Sequence, residues 1–156
     1  MSSPLPPILV IEDDPQQALL LRSVLWRARL VNPIVVAATG DDADAALASA
    51  TSPTVAADDT PVLVLLDLRL GDWSGLAFLE RLRQTFDSHA LPVVVLSGSG
   101  EAGDIDRAFE IGANSYLVKP VAFDALIDTL ENLGLPRAIL PPSAIAERPH
   151  PAGPPG

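Results

Sequence analysis

The sequence predicts an α/β fold: a (βα)5 doubly wound parallel sheet, each of its five strands followed by a helix. Three observations predict it. Short apolar runs of strand length recur along the chain, each bounded by turn residues. The segments between them place apolar residues at helical spacing. The run Val62-Leu63-Val64-Leu65-Leu66 is apolar throughout, mostly branched, and ends in a single carboxylate, Asp67, ahead of Gly71-Asp72-Trp73-Ser74-Gly75. A strand apolar at every position belongs to a parallel sheet covered on both faces. Strand-sized runs alternating with helical patterns build such a sheet through right-handed crossovers.

In chain order, residues 1–6 are a Pro/Ser leader, expected to be flexible. Pro7-Ile8-Leu9-Val10-Ile11 is the first strand and runs into Glu12-Asp13-Asp14. Asp14-Pro15 supplies an N-cap and a first helical residue. Ala18, Leu21, Val24, Leu25 and Ala28 then carry an amphipathic helix to about Leu30. After Pro33 comes the second strand, Ile34-Val35-Val36-Ala37. Asp41 or Asp42 is expected to cap a second helix with a small, weakly apolar face of Ala43, Ala46, Leu47 and Ala50. A polar connection, 51–60, leads to the central strand. Ser74 caps a third helix whose inner face is Leu79, Leu82 and Phe86.

Pro92 opens the fourth strand, Val93-Val94-Val95-Leu96, which ends at Ser97-Gly98-Ser99-Gly100. Ile105, Ala108 and Phe109 mark the fourth helix, stopped by Gly112 in the position that favours left-handed backbone. Tyr116-Leu117-Val118 is the fifth strand and ends at Lys119-Pro120; Phe123, Leu126, Ile127 and Leu130 define a last helix, closed by Gly134. The folded domain is thus expected over 7–134. From Pro136 onward seven of twenty-one residues are proline, so 135–156 reads as a polyproline-like or disordered tail, and no room remains for a second folded domain.

Composition excludes several classes. The net charge is −10, with nine arginines and a single lysine, so binding nucleic acid by neutralising phosphates is disfavoured. The chain has no cysteine, which removes disulfides, thiolate metal sites and cysteine nucleophiles. The longest apolar runs are strand-sized, too short to span a membrane. Met1-Ser2-Ser3-Pro4 carries no basic residue ahead of an apolar segment, so no secretory signal is expected.

The chemistry gathers at the strand ends. The first strand ends in Glu12-Asp13, the third in Asp67, the fourth in Ser97 and the fifth in Lys119. With strand order 2-1-3-4-5, the flavodoxin-like arrangement, strands one and three are neighbours and their carboxylates converge at the switch point. Carboxylates so placed repel unless a cation intervenes. Oxygen ligands without histidine or cysteine suit Mg²⁺, or Mn²⁺. Asp67 is then the natural nucleophile for a phosphoryl group, forming an acyl phosphate. Ser97 offers a hydroxyl donor and Lys119 a point charge to the transferred oxygens. On the residues alone, Asp14 is a helix cap before it is a ligand, Glu12 can be a neighbour to a direct ligand Asp13, and Trp73 serves packing or gating.

Glu12-Asp13-Asp14, Leu66-Asp67-Leu68, Leu96-Ser97-Gly98 and Tyr116-Leu117-Val118-Lys119-Pro120, in this order, resemble the receiver domain of two-component response regulators. The resemblance implies that Asp67 is the phosphoacceptor and that Glu12, Asp13, Asp67 and the backbone carbonyl of Arg69 hold Mg²⁺. It makes Ser97 the switch hydroxyl, Lys119 the phosphate-binding lysine, Tyr116 the switch aromatic, and Lys119-Pro120 a cis peptide. Arg69 and Ser99 fall at the variable positions that tune autodephosphorylation. Gly71 stands where the family usually has proline, so a looser loop is expected, and Ser97 replaces the commoner threonine. The run 112–121 resembles the single-domain subfamily that includes regulators paired with bacterial phytochrome kinases.

The expected function is that of a cytoplasmic phosphoacceptor switch, not an enzyme. It would take its phosphoryl group from a sensor histidine kinase or phosphotransfer protein docking near the first helix. Output would pass to a protein partner, with no nucleic acid and no membrane involved, through the face made by the fourth helix, fifth strand and fifth helix. That face also admits a homodimer. Two rivals stand beside it: a phosphorylation-independent pseudo-receiver, and a Mg²⁺-dependent aspartyl-phosphate phosphatase. The phosphatase family resembled would place its nucleophile first, with a second aspartate two residues on, where this chain has Arg69. An FMN-binding site is set aside because Glu12-Asp13-Asp14 would repel the phosphate.

Overall fold

The computed structural model describes residues 5–55, 60–98 and 100–133. Its elements are β1 (Ile8–Ile11), α1 (Pro15–Arg27), β2 (Ile34–Ala37), α2 (Gly40–Ala50), β3 (Leu63–Asp67), β4 (Arg69–Leu70), β5 (Trp73–Ser74), α3 (Gly75–Thr85), β6 (Val93–Ser97), α4 (Ala102–Ile111), β7 (Ser115–Val118) and α5 (Phe123–Glu131). The main sheet is parallel and runs β2-β1-β3-β6-β7, which is the expected order. The leader's Pro6 carbonyl accepts from Asn32 Nδ2 at 2.9 Å. The tail expected over 135–156 and the expected helix stop at Gly134 lie outside the described residues.

The unbroken apolar strands are explained by cover on both faces. Leu9, Ile11, Val64, Leu66, Val93 and Val95 point into one core, against Phe78, Leu79 and Leu82 of α3. Their strand neighbours Ile8, Val10, Leu63, Leu65, Val94 and Leu96 point into the other, against Leu21, Val24 and Leu25 of α1 and Leu126 and Leu130 of α5. Successive residues alternate sides, so both sets must be apolar. The Arg27 guanidinium lies 4.7 Å from the centroid of the Phe123 ring, tying α1 to α5.

Several helix ends differ from expectation. α1 stops at Arg27, because Arg29 takes a left-handed backbone (φ 68°) and Leu30 N–H bonds back to the Leu25 carbonyl at 3.0 Å. That closure buries Leu30 without extending the helix. Thr39, not Asp41 or Asp42, caps α2: its Oγ1 accepts from Asp42 N–H at 3.0 Å. The two aspartates occupy the first turn instead, where the helix dipole favours them. Phe86 packs against the core that α3 faces, as expected, but does so from the C-cap position rather than within the helix, while the unforeseen Phe78 is fully buried. Of the expected α4 face only Ala108 is buried; Phe109 is 47% exposed. Asp14 and Ser74 cap as expected, accepting from Gln16 N–H at 2.9 Å and Ala77 N–H at 3.1 Å.

At the end of the sheet remote from the strands' carboxyl termini, Arg83 binds the chain together. Nε donates to the Gly112 carbonyl at 2.9 Å, and Nη2 to Asn114 Oδ1 at 2.9 Å. Nη1 reaches the carbonyls of Phe86, Asp87 and Leu91. Asn114 passes the connection on, accepting from Val93 N–H at 2.9 Å. Burial pulls the guanidinium pKa down, while the Asp87 charge opposes this. Arg83→Ala leaves these carbonyls short of a donor and is expected to cost about 2–3 kcal/mol in urea unfolding. An unchanged midpoint would mean that water replaces the guanidinium without loss.

Candidate functional site

The sheet order brings the carboxyl ends of β1, β3, β6 and β7 side by side. Asp67 ends β3 and is 7% exposed; Glu12 follows β1 at 3%, Ser97 ends β6 at 2%, and Asp13 is exposed. One carboxylate oxygen from each of Glu12, Asp13 and Asp67 lies within 4.8 Å of the others. Lys119, just past β7, places Nζ 2.8 Å from Glu12 Oε1 and 3.0 Å from Asp67 Oδ2. Its backbone is fixed by Lys119 N–H donating to the Ser97 carbonyl at 2.7 Å, and the Lys119–Pro120 peptide bond is cis.

The electrostatics follow from burial. Loss of water raises the Glu12 pKa, against the lowering effect of Lys119 and of the Asp14 N–H that Glu12 Oε2 accepts at 3.2 Å. Burial by itself would lower Lys119, but its bonds to Glu12 and Asp67 outweigh that and raise its pKa, keeping the ammonium charged. The cluster thus gathers three carboxylates, two of which, Glu12 and Asp67, are bonded to one lysine. A donor set made only of carboxylate oxygens, with no histidine or cysteine, fits a hard divalent cation.

On the outer side, Asp67, Arg69 and Ser97 share an open cavity of about 470 Å³ with Glu101 and Asp104 of the α4 entrance. Arg69 N–H donates to Asp67 Oδ1 at 3.1 Å. Tyr116 sits one step into β7, opposite Val95, and packs on the α3 side of the sheet. Ser99 lies outside the described residues. In the loop after Asp67, β4 and β5 pair as an antiparallel hairpin turning at Gly71 (φ 61°). That turn takes the conformation glycine adopts without strain and proline cannot. The roles of Glu101 and Asp104 as cavity walls had no signal in the sequence, since exposed acids at a helix start are ordinary.

This fold with carboxylates at β1 and β3 and a lysine at β7 defines the response regulator receiver class. The family model for the response regulator receiver domain matches residues 8–131, and the chain belongs to that family. It is 33% identical over 126 residues to the probable methanogenesis regulatory protein FilR2 of Methanothrix harundinacea, covering 81% of this chain and 79% of that protein. It is 30% identical to the transcriptional activator IrlR of Burkholderia pseudomallei over 81% of this chain, and spans about half of that relative (49%). Among solved structures it resembles the bacteriophytochrome response regulator RtBRR, at 33% identity and TM-score 0.68, covering 91% of this chain and 87% of that one. Receiver domains bind Mg²⁺ at an acidic pocket and interact with histidine kinases or phosphotransfer proteins. Among the described residues, no helix is long and apolar enough to cross a membrane.

Proposed function

We propose that this protein is a phosphoacceptor switch that takes a phosphoryl group on Asp67 from the phosphohistidine of a sensor kinase or phosphotransfer partner. The observation that carries the proposal is the convergence of a buried Asp67 with Lys119 and two further carboxylates beside an open cavity. Glu12, Asp13, Asp67 and the Arg69 carbonyl would hold Mg²⁺ or Mn²⁺, which supplies charge neutralisation for the phosphoryl oxygens. An Asp67 carboxylate oxygen attacks phosphorus in line. The bond from phosphorus to the donor imidazole breaks, and the imidazole leaves with its electron pair and takes up a proton. Lys119 Nζ, already on Asp67, stabilises the transferred oxygens.

The acyl phosphate adds charge and acceptor oxygens, toward which Ser97 turns while Tyr116 fills the vacated space. A shift from 1:99 to 99:1 needs about 5.5 kcal/mol of differential interaction, which a few charge-assisted hydrogen bonds at roughly 1.5–3 kcal/mol each supply. Arg69 and Ser99 set the lifetime. Output passes to a protein partner, or to a second copy, on the α4–β7–α5 face, where Phe109 and Val118 are exposed. The protein acts in the cytoplasm as a switch rather than an enzyme. Its likeness to a bacteriophytochrome response regulator supports a place among regulators paired with phytochrome kinases.

Intact mass spectrometry tests the proposal. With Mg²⁺ and a small phosphodonor, the wild-type chain is expected to gain one phosphoryl group. Asp67→Asn, whose amide is no nucleophile, and a metal-free control are expected to gain none. A folded wild-type chain that binds Mg²⁺ yet takes up nothing would instead favour the pseudo-receiver.

A further inference from the structure

We infer that Trp73 is a positioning residue for the acceptor site: its indole, seated on α2, holds the loop that follows Asp67 in one place. A hairpin with strands of two residues is not stable by itself, so something outside it must fix β4 and β5. Trp73 is gripped from both sides. On one side the indole covers Gly40, where an added Cβ would run into Trp73 Cγ and Cδ1. Nε1 donates to both carboxylate oxygens of Asp44 at 3.3 Å, and Arg81 of α3 pairs with the same carboxylate. On the other side the ring meets Phe78 of α3, with centroids 5.3 Å apart.

The grip reaches the site through a short path. Trp73 is paired with Leu70, and Ser74 with Arg69, so the position of the indole sets that of the Arg69 backbone. The Arg69 N–H is bonded to Asp67 Oδ1, and Gly75 N–H bonds back to the Leu68 carbonyl at 2.9 Å. A Cβ on Gly75 would stand 2.6 Å from Leu68 Cα, so the two ends of the loop are in backbone contact. Release of Trp73 therefore frees the Arg69 amide from Asp67, and with it the Arg69 carbonyl. The importance of that carbonyl rests on the metal site proposed above; the amide bond does not. The glycine at 40 is then required by the tryptophan 33 positions later, since any side chain there would unseat it.

The test uses the full chain with Trp73→Ala, Trp73→Phe and Gly40→Ala. The last leaves the loop untouched and survives if Trp73→Ala does not fold. Amide hydrogen exchange at Arg69, read by NMR against Leu65 as a core reference in the metal-free protein, reports the loop. Electron paramagnetic resonance of free Mn²⁺ reports the metal site. In Trp73→Ala and Gly40→Ala, Arg69 exchange is expected to rise about tenfold relative to Leu65. Mn²⁺ affinity should fall about tenfold in both. Trp73→Phe keeps a ring on Gly40 and is expected to stay near wild type in both measurements. Wild-type exchange in Gly40→Ala, or equal impairment in Trp73→Phe and Trp73→Ala, overturns the inference. If the wild-type chain binds no Mn²⁺, the proposed metal site fails, and Arg69 exchange still decides the role of Trp73.

Discussion

Lys119→Met is expected to cost the metal-free protein about 3 kcal/mol near neutral pH, the lower end of the range for breaking a buried ion pair, because the lysine keeps some contact with water. The loss comes mainly from leaving Glu12 and Asp67 without their cation. Its pH dependence follows from the directions of the two shifts. Lys119 has its pKa raised in the folded chain by its carboxylate partners, so with those partners ionised its stabilisation is complete below the ordinary 10.5 and on the alkaline side fades as pH rises through the folded value. Glu12 is also raised, above 4.5: the folded chain holds that proton more tightly than the unfolded one, so this group detracts from stability as pH rises through its folded value. Removing Lys119 takes away two influences that lower Glu12, so its pKa climbs further. The gap between variant and wild type should therefore be small in acid, where Glu12 is neutral, and widen as pH rises. Urea midpoints at acidic and mildly alkaline pH, each with and without Mg²⁺, check this. The expected pattern is a gap that grows with pH and narrows with the cation. A gap independent of both would mean that the lysine contributes nothing to holding these carboxylates in the fold.

Phe78→Ala is expected to cost about 3–5 kcal/mol. The ring is fully buried at the centre of the core between the sheet and α3, and the site loop leans on it through Trp73. Truncation removes apolar burial and leaves a cavity that the close-packed strands β1, β3 and β6 cannot collapse to fill. Thermal and urea unfolding should both show the loss with an unchanged m-value. A cost below about 1 kcal/mol would show that the neighbouring leucines repack into the space.

The central strands β1, β3 and β6 were legible because burial on both faces forces an apolar residue at every position before the strand end. The edge strands β2 and β7 were legible as short apolar runs although they are only partly buried. The polar groups at the ends of β1, β3 and β6 were legible for the opposite reason: each interrupts a run whose every other member is buried. Helix ends were less so. Arg29 takes a left-handed conformation that nothing in its side chain announces, and Thr39 competes for the cap with two aspartates that are equally good cappers by residue type. The outer face of α4 misled because Phe109 fits the apolar spacing yet points outward. The hairpin after Asp67 was missed because two-residue strands carry no periodicity, and Gly71 alone suggests freedom where Trp73 supplies restraint.

By itself the sequence determined where each strand of the main sheet lies, which residue ends it and in what order those residues come, since short apolar runs bounded by turn residues mark buried strands. It did not determine what an element is buried against. Lys119 meets Glu12 across 107 positions and Asp67 across 52, and Trp73 meets Asp44 across 29. Such pairings depend on the order and spacing of whole elements around the sheet, so only the tertiary structure decided them. The same holds for the charge state of the site: burial raises Glu12, while bonds to Glu12 and Asp67, far away in the chain, keep Lys119 charged against its own burial.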